Sequence, residues 1–192
     1  MASNQLIFIS GGVRSGKSSF AELYAAQVAK SKQLDLYYLA TSINFDKEMD
    51  TRIAHHKKTR DLSTNDWKTI EAPSNISRAI KRSHEGSVIL LDCLTVWLSN
   101  EFYEQQVTED IIVNSEKWCE VREDIMNQIK EILRCVDTLI IVSNDVFHDT
   151  INETIYVKLY SRMLGELHQL IVKEANQAFA VESSIPILMK QN

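Results

Sequence analysis

The residues most suited to chemistry lie near the start of the chain, where glycines, a lysine and a serine have the spacing of a phosphate-binding loop. The pattern G-x-x-x-x-G-K-[ST] is matched by Gly11-Gly12-Val13-Arg14-Ser15-Gly16-Lys17-Ser18. Glycines let backbone N–H groups curl around phosphate oxygens, and the N-terminus of a following helix adds partial positive charge. The lysine of this pattern reaches the β- and γ-phosphates, and the hydroxyl holds Mg²⁺. The segment therefore predicts a site for a nucleoside triphosphate and Mg²⁺; the alternative is a chance match in a glycine-rich turn.

An acidic residue at the end of a second apolar run fits the same chemistry. Asp92 directly follows the run Val88-Ile89-Leu90-Leu91. In phosphoryl-transfer sites an acid at such a position orients Mg²⁺ or a water bound to it. Ser18 and Asp92 are therefore the predicted metal ligands. The alternative for Asp92 is a cap on the helix that follows it.

A strongly charged segment, Asp46–Arg60, carries a histidine in an unusual setting. Arg52, His56 and Arg60 are spaced i, i+4 and i+8, so on a helix they lie along one face. Flanking guanidinium groups disfavour the imidazolium form and keep His56 neutral. A neutral imidazole beside fixed cations can attack phosphorus while the cations hold the phosphate oxygens. The alternative is a solvated helix without a role in catalysis. We interpret three further histidines as surface or structural residues: His84, His148 and His168.

The elements that must position these residues are predicted from hydrophobic periodicity. Short apolar runs predict buried strands at Leu6–Ser10, Leu36–Ala40, Val88–Asp92 and Thr138–Ser143, with weaker candidates at Gln177–Glu182 and Ile185–Met189. Amphipathic stretches predict helices at Lys17–Ala29, Asp46–Arg60, Ile76–Ser83, Leu94–Tyr103, Ser115–Arg134 and Glu153–Ala175. This alternation predicts an α/β fold with a mostly parallel sheet covered by helices. Ligands in such sheets bind at the carboxyl ends of the strands, where the phosphate loop and Asp92 are both expected.

Composition narrows the classes of function. The chain has 192 residues and shows no linker, which predicts one domain over residues 1–192. Its net charge of −5 argues against a general nucleic-acid binder. Three cysteines, none close to another, predict neither a disulfide framework nor a zinc pair. Neither a signal peptide nor a membrane span is predicted, so the expected compartment is the cytoplasm.

Five segments in this order resemble one known enzyme family. They are residues 11–22 (GGVRSGKSSFAE), 38–42 (YLATS), 46–56 (DKEMDTRIAHH), 67–71 (WKTIE) and 92–100 (DCLTVWLSN). Together they resemble the bifunctional adenosylcobinamide kinase / adenosylcobinamide-phosphate guanylyltransferase family of cobalamin biosynthesis. The phosphate loop alone is unspecific, whereas the ordered set is highly specific.

The resemblance implies a P-loop, RecA-like fold, a homotrimer, and two reactions on a corrinoid substrate. A nucleoside triphosphate, GTP or ATP, phosphorylates adenosylcobinamide. GMP then passes from GTP to a histidine, which matches His56, and on to adenosylcobinamide phosphate. Only the resemblance implies that the transferred nucleotide is a guanine nucleotide; the residues themselves do not indicate which base is bound. The implied catalytic residues are His56 and Lys17. The implied nucleotide contacts are Gly11, Gly12, Val13, Arg14, Ser15, Gly16, Lys17, Ser18, Ala40, Thr41, Ser42, Lys57, Lys58, Thr59, Arg60, Glu71 and Asp92.

One loop departs from the family pattern. Residues 144–152 read Asn-Asp-Val-Phe-His-Asp-Thr-Ile-Asn, where the family usually has two glycines and a proline. A loop that loses a glycine with positive φ cannot keep the same backbone path. We expect this loop to shape the site of the corrinoid acceptor. Two alternatives to the bifunctional enzyme follow: a single-activity kinase or nucleotidyltransferase with an altered acceptor, and a non-catalytic GTP-binding module.

Overall fold

The structure, a computed structural model, describes residues 4–42, 66–105, 115–145 and 154–192. We number the described strands β1–β7 and the described α-helices α1–α4. In chain order they are β1 Gln5–Gly11, α1 Lys17–Lys32, β2 Leu36–Ala40, β3 Trp67–Glu71, β4 Val88–Asp92, α2 Leu94–Glu104, α3 Ser115–Cys135, β5 Thr138–Asn144, α4 Ile155–Glu174, β6 Gln177–Glu182 and β7 Ile185–Gln191. The predicted helix 46–60, with His56, lies outside these residues.

The strands form one mostly parallel sheet in the order β3-β2-β4-β5-β1-β6-β7. All neighbouring pairs are parallel except β6 and β7, which form an antiparallel hairpin at one edge. Strand β5 separates β1 from β4. The phosphate loop and Asp92 therefore follow strands that lie two positions apart, about 10 Å across the sheet.

Helices cover both faces of the sheet, and the alternation of side chains along the strands decides which residues meet them. Ile7 and Ile9 of β1 pack with α1, whereas Leu6 and Phe8 point to the other face, which α2, α3 and α4 cover. The α1 side is filled by small residues: Ala21, Ala25, Ala26 and Ala29 are all buried. The opposite side holds larger groups, with Trp97 and Phe102 fully buried. The alanines let α1 lie close to the sheet.

The predicted α/β architecture is confirmed in its main elements and wrong in two details. All six predicted strands are present, but the sequence reasoning missed β3. That strand lies at an edge of the sheet, and its central residues are exposed, so it lacks a continuous apolar run. The predicted helix 76–83 consists instead of two short 3₁₀ segments, Ile76–Ala79 and Arg82–His84. Ile80 between them is extended, which interrupts the helix.

None of the described helices has both the length and the apolar character needed to span a bilayer.

Candidate functional site

The phosphate loop connects the end of β1 to the start of α1 in a tightly curled path. Arg14 has φ 61° and Gly16 has φ 88°, a left-handed conformation that favours glycine. A Cβ at Gly11 would lie 2.4 Å from the carbonyl oxygen of Val181, so only glycine fits there. The curl is closed by the amide of Ser15, which donates to the carbonyl of Gly12 at 3.2 Å. The segment predicted as a phosphate loop is therefore tightly curled, and Gly11 and Gly16 occupy positions where a side chain would clash or strain the backbone.

Lys17 lies at the first position of α1 and folds back over the loop. The residue is 8% exposed, and its Nζ donates to the carbonyl oxygen of Gly12 at 3.2 Å. A buried ammonium group needs partners that compensate for its lost hydration. The phosphates of a bound nucleotide would supply such partners at this position. Lys17 therefore lies against the predicted phosphate loop, and its contact with a triphosphate stays a prediction.

The hydroxyl of Ser15 is the second buried polar group of the loop. Among the described residues, its Oγ is buried without a hydrogen-bond partner. Buried hydroxyls normally have a partner in native proteins, so an unpartnered one calls for an explanation. A phosphate oxygen on the loop would accept the Ser15 hydrogen bond and provide that explanation.

Asp92 ends β4 at the same edge of the sheet as the phosphate loop. Its Oδ2 accepts a hydrogen bond from the hydroxyl of Tyr38 on the neighbouring strand β2, at 2.9 Å. In register, Asp92 lies beside Ala40 of β2, and Ala40 in turn lies beside Glu71 of β3. The sheet thus brings together three of the predicted contacts, Ala40, Glu71 and Asp92, at the carboxyl ends of adjacent strands.

Thr41, which follows β2, is buried, and its hydrogen bonds connect the carboxyl ends of β2 and β4. Its hydroxyl donates to the carbonyl of Cys93 at 3.0 Å and accepts from the Cys93 amide at 2.9 Å. The side-chain amide of Asn100 donates to the carbonyls of Thr41 and Pro73, each at 2.8 Å. Burial raises the pKa of the adjacent Cys93 thiol to about 11, so the thiol stays protonated. The Thr41 hydroxyl therefore makes a structural contact, and its nucleotide contact stays a prediction.

The end of β5 carries a polar network that the sequence analysis did not find. The Oγ of Ser143 lies 2.7 Å from Nε2 of His168 on α4 and 3.4 Å from the Thr95 hydroxyl on α2. Burial lowers the pKa of His168 to about 4, so the imidazole is neutral at pH 7. The amide of Asn144 donates to the Thr95 hydroxyl at 2.9 Å. We interpreted His168 from the sequence as a surface or structural residue, and the structure shows its side chain hydrogen-bonded to Ser143 inside the protein. A polar Ser143 at the end of an apolar strand is the sequence signal that could have revealed the contact.

Backbone contacts connect this network to the phosphate loop, because Ser143 and Asn144 pair in register with Ser10 and Gly11. The amide of Asp145 donates to the carbonyl of Gly11 at 2.9 Å. The start of the divergent segment 144–152 therefore lies against the phosphate loop, while residues 146–152 lie outside the described residues. The same holds for five predicted site residues, Lys57, Lys58, Thr59, Arg60 and His56.

Comparisons with known proteins agree on one family. A model of the family described as cobinamide kinase / cobinamide phosphate guanyltransferase (CobU) matches residues 7–189. The bifunctional adenosylcobalamin biosynthesis protein CobU of Escherichia coli is 28% identical, over 96% of this chain and 99% of that protein. The bifunctional adenosylcobalamin biosynthesis protein CobP of Pseudomonas aeruginosa is 29% identical, over 95% of each chain.

Two solved structures support the fold. The flagellar accessory protein FlaH of Methanocaldococcus jannaschii superposes with a TM-score of 0.50 at 14% identity, over 100% of this chain and 80% of that chain. The KaiC-like protein PH0186 of Pyrococcus horikoshii gives 0.51 at 13% identity, over 98% and 79%. The predicted fold class, a mostly parallel sheet flanked by helices, is confirmed. With the family model matching nearly the whole chain, the predicted resemblance is also confirmed, and the chain belongs to the cobinamide kinase / cobinamide phosphate guanyltransferase family.

Proposed function

We propose that this chain phosphorylates adenosylcobinamide with a nucleoside triphosphate and then transfers GMP from GTP to the resulting phosphate through a guanylyl-histidine intermediate. The observation that carries the proposal is the buried Lys17 above a curled phosphate loop, in a chain of this family. Both reactions need a triphosphate held in place. The loop amides and Lys17 stabilise the negative charge that develops on its phosphates.

The donor set beside the loop fits Mg²⁺. Mg²⁺ prefers oxygen ligands and is usually held by one or two carboxylates together with substrate phosphates and waters. Asp92 at the carboxyl end of β4 and the Ser18 hydroxyl in the first turn of α1 supply oxygen donors. In the part of the chain that the structure describes, no larger group of metal-ligating side chains occurs, which is compatible with such a minimal site. When bound, Mg²⁺ neutralises charge on the β- and γ-phosphates.

His56 is the proposed nucleophile of the second reaction. A nitrogen of its neutral imidazole forms a bond to the α-phosphorus of GTP, and the bond from that phosphorus to the bridging oxygen breaks. Pyrophosphate leaves, and a phosphate oxygen of adenosylcobinamide phosphate then displaces the histidine. We propose that Ala40, Ser42 and Glu71 and the cations of residues 57–60 contact the nucleotide in this step.

Further features of the proposal come from the resemblance and the composition. The proposed acceptor is a corrinoid, with GTP or ATP as the phosphoryl donor. We also propose a single domain, a homotrimer and a location in the cytoplasm. The oligomeric state and the compartment do not enter the chemistry at the phosphate loop.

The experiment that tests the proposed function compares two adjacent histidines. With Mg²⁺ and α-labelled GTP, the wild-type protein should form a covalent adduct that is stable to alkali and labile to acid, as expected of a phosphoramidate. His56→Ala should abolish the adduct and retain phosphorylation of adenosylcobinamide. The matched control His55→Ala should retain the adduct, because adjacent residues of the helix predicted from the sequence would point about 100° apart.

Two outcomes would contradict this assignment. Loss of the adduct in His55→Ala, with retention in His56→Ala, would exchange the roles of the two histidines. A wild-type protein that forms no adduct while phosphorylating adenosylcobinamide would be a kinase alone.

A further inference from the structure

Asn100 is a buried residue of α2 whose side chain joins the chain segments that follow two neighbouring strands. Its side-chain amide donates to the carbonyl of Thr41 and to the carbonyl of Pro73, each at 2.8 Å. An asparagine amide has two N–H donors, so one side chain can satisfy both carbonyls. Thr41 directly follows β2, and Pro73 lies two residues beyond β3. The Asn100 amide therefore connects the chain just beyond the carboxyl ends of these strands.

The connected segments carry two of the proposed nucleotide contacts. Ala40 and Glu71 lie side by side in register at the ends of β2 and β3. The amide of Ala72 donates to the carbonyl of Ala40 at 3.0 Å, which extends the pairing one residue beyond the strands. The Asn100 amide then bridges the residues that follow. The spacing between the two segments is thus set by the backbone on the sheet side and by Asn100 on the far side.

The neighbouring residue on α2 holds the same segment after β3. The carboxylate of Glu101 is buried and accepts from the amide of Asn75 at 3.0 Å and from the indole N–H of Trp97 at 2.8 Å. Asn75 has φ 46°, so the chain turns sharply at the residue that Glu101 holds. Helix α2 itself begins two residues after Asp92. The helix therefore relates the segments after β2 and β3 to the end of β4.

Burial gives the two hydrogen bonds of Asn100 their importance. Thr41 is fully buried, and a buried carbonyl that loses its donor costs more than an exposed one, because water cannot replace the donor. Without the Asn100 amide, we expect the two segments to separate and Ala40 and Glu71 to lose their relative positions. The phosphate loop follows β1, three strand positions from β2, so its conformation should not change.

We propose that Asn100 is a positioning residue for GMP transfer, which holds the segments after β2 and β3 at the spacing that their nucleotide contacts require. This inference deepens the proposed function and rests on its second reaction, in which those contacts act. Phosphorylation of adenosylcobinamide depends on the phosphate loop, Lys17 and Asp92 and does not need this spacing.

The test measures both reactions in two variants of Asn100. Asn100→Asp has the same shape but lacks the two donors, whereas Asn100→Ala removes the side chain without adding a charge. Each variant should lower the single-turnover rate of GMP–protein adduct formation about 30-fold, because two hydrogen bonds of a buried group are lost. The kcat of adenosylcobinamide phosphorylation should stay within about threefold of wild type.

Gln128→Ala is the matched control, because Gln128 is a second buried side-chain amide. Its Nε2 donates to Asp124 at 2.9 Å, and its Oε1 accepts from the amide of Ser77 at 3.4 Å. In the described part of the chain, none of its hydrogen bonds reaches Thr41 or Pro73. Urea denaturation should show that the control loses stability, as the Asn100 variants do, while both of its reaction rates remain near wild type.

Three results would overturn the inference. They are wild-type adduct formation in both Asn100 variants, an equal loss of both reactions, and a loss in Gln128→Ala that is as selective as the loss in Asn100→Ala. A wild-type protein that forms no adduct would contradict the proposed function itself. The dissociation constant of Mg-GTP, measured by calorimetry, would then decide on Asn100. A rise of about tenfold in Asn100→Ala, with no change in Gln128→Ala, would support the positioning role, and equal constants in the two variants would overturn it.

Discussion

Strands β1 and β5 lie side by side in register, with Gly11 opposite Asn144, but their carboxyl ends satisfy polar groups in opposite ways. After β1, Lys17 and the hydroxyl of Ser15 are buried in a curled loop, and the Ser15 hydroxyl finds no partner among the described residues. At the end of β5, Ser143 and His168 are paired with each other inside the protein. The difference indicates where a ligand is expected: other side chains complete the end of β5, whereas the buried Ser15 hydroxyl after β1 has no partner among the described residues, and we expect a bound anion to supply one.

The largest expected effect comes from removing the positive charge of Lys17, which follows β1 at the start of α1. Lys17→Ala should lower both adenosylcobinamide phosphorylation and GMP–protein adduct formation by roughly 100-fold or more, because both need the triphosphate charge neutralised. Steady-state rates and adduct yields measure this. Lys30→Ala, an exposed lysine of the same helix, is the control and should stay near wild type. Normal turnover in Lys17→Ala would show that the loop binds something other than a triphosphate.

The next effect concerns stability at the β5 end. Burial lowers the pKa of His168 from 6.5 to about 4, with the nearby Asp145 carboxylate acting weakly in the opposite direction. Between these pH values the unfolded chain binds a proton that the folded protein excludes, so stability falls as pH decreases from about 6.5 to about 4. The loss attributable to His168 should reach up to about 3 kcal/mol.

Urea denaturation at pH 7 and pH 4.5 checks this expectation. His168→Gln removes the titrating group, so its free energy of unfolding should depend less on pH than that of the wild type. His84→Gln controls for the loss of a histidine elsewhere in the chain. Equal pH dependence in the wild type and His168→Gln would mean that folding leaves the pKa of His168 unchanged.

The smallest effect should come from the unpartnered hydroxyl. Ser15→Ala should leave the free energy of unfolding within about 0.5 kcal/mol of wild type, since no protein hydrogen bond to this group is lost in the described structure. Nucleotide affinity should fall several-fold, because a phosphate loses one donor. Calorimetric titration with Mg-GTP measures the second effect. A clear loss of stability without a loss of affinity would mean that the Ser15 hydroxyl is satisfied within the protein, as the Ser143 hydroxyl is.

The sequence predicted the β1 end far better than the β5 end. The phosphate loop is contiguous, and its glycines, lysine and serine have a spacing that is typical of one local conformation. The network of Ser143, Thr95 and His168 joins residues that are 25 and 48 positions apart, and no local pattern reveals such contacts. The edge strand β3 was missed for a related reason, because its exposed faces lack the apolar run that marks the central strands.

The position of β1 in the sheet has a consequence for the order in which the protein is built on the ribosome. Both neighbours of β1, the strands β5 and β6, come from the second half of the chain. The amide that holds the carbonyl of Ser15 comes later still, from Ser184. Non-local pairings of this kind form slowly and late. The phosphate loop is therefore synthesised before the strands and the turn that border it, and its contact with Ser184 cannot form until the hairpin near residue 184 has emerged.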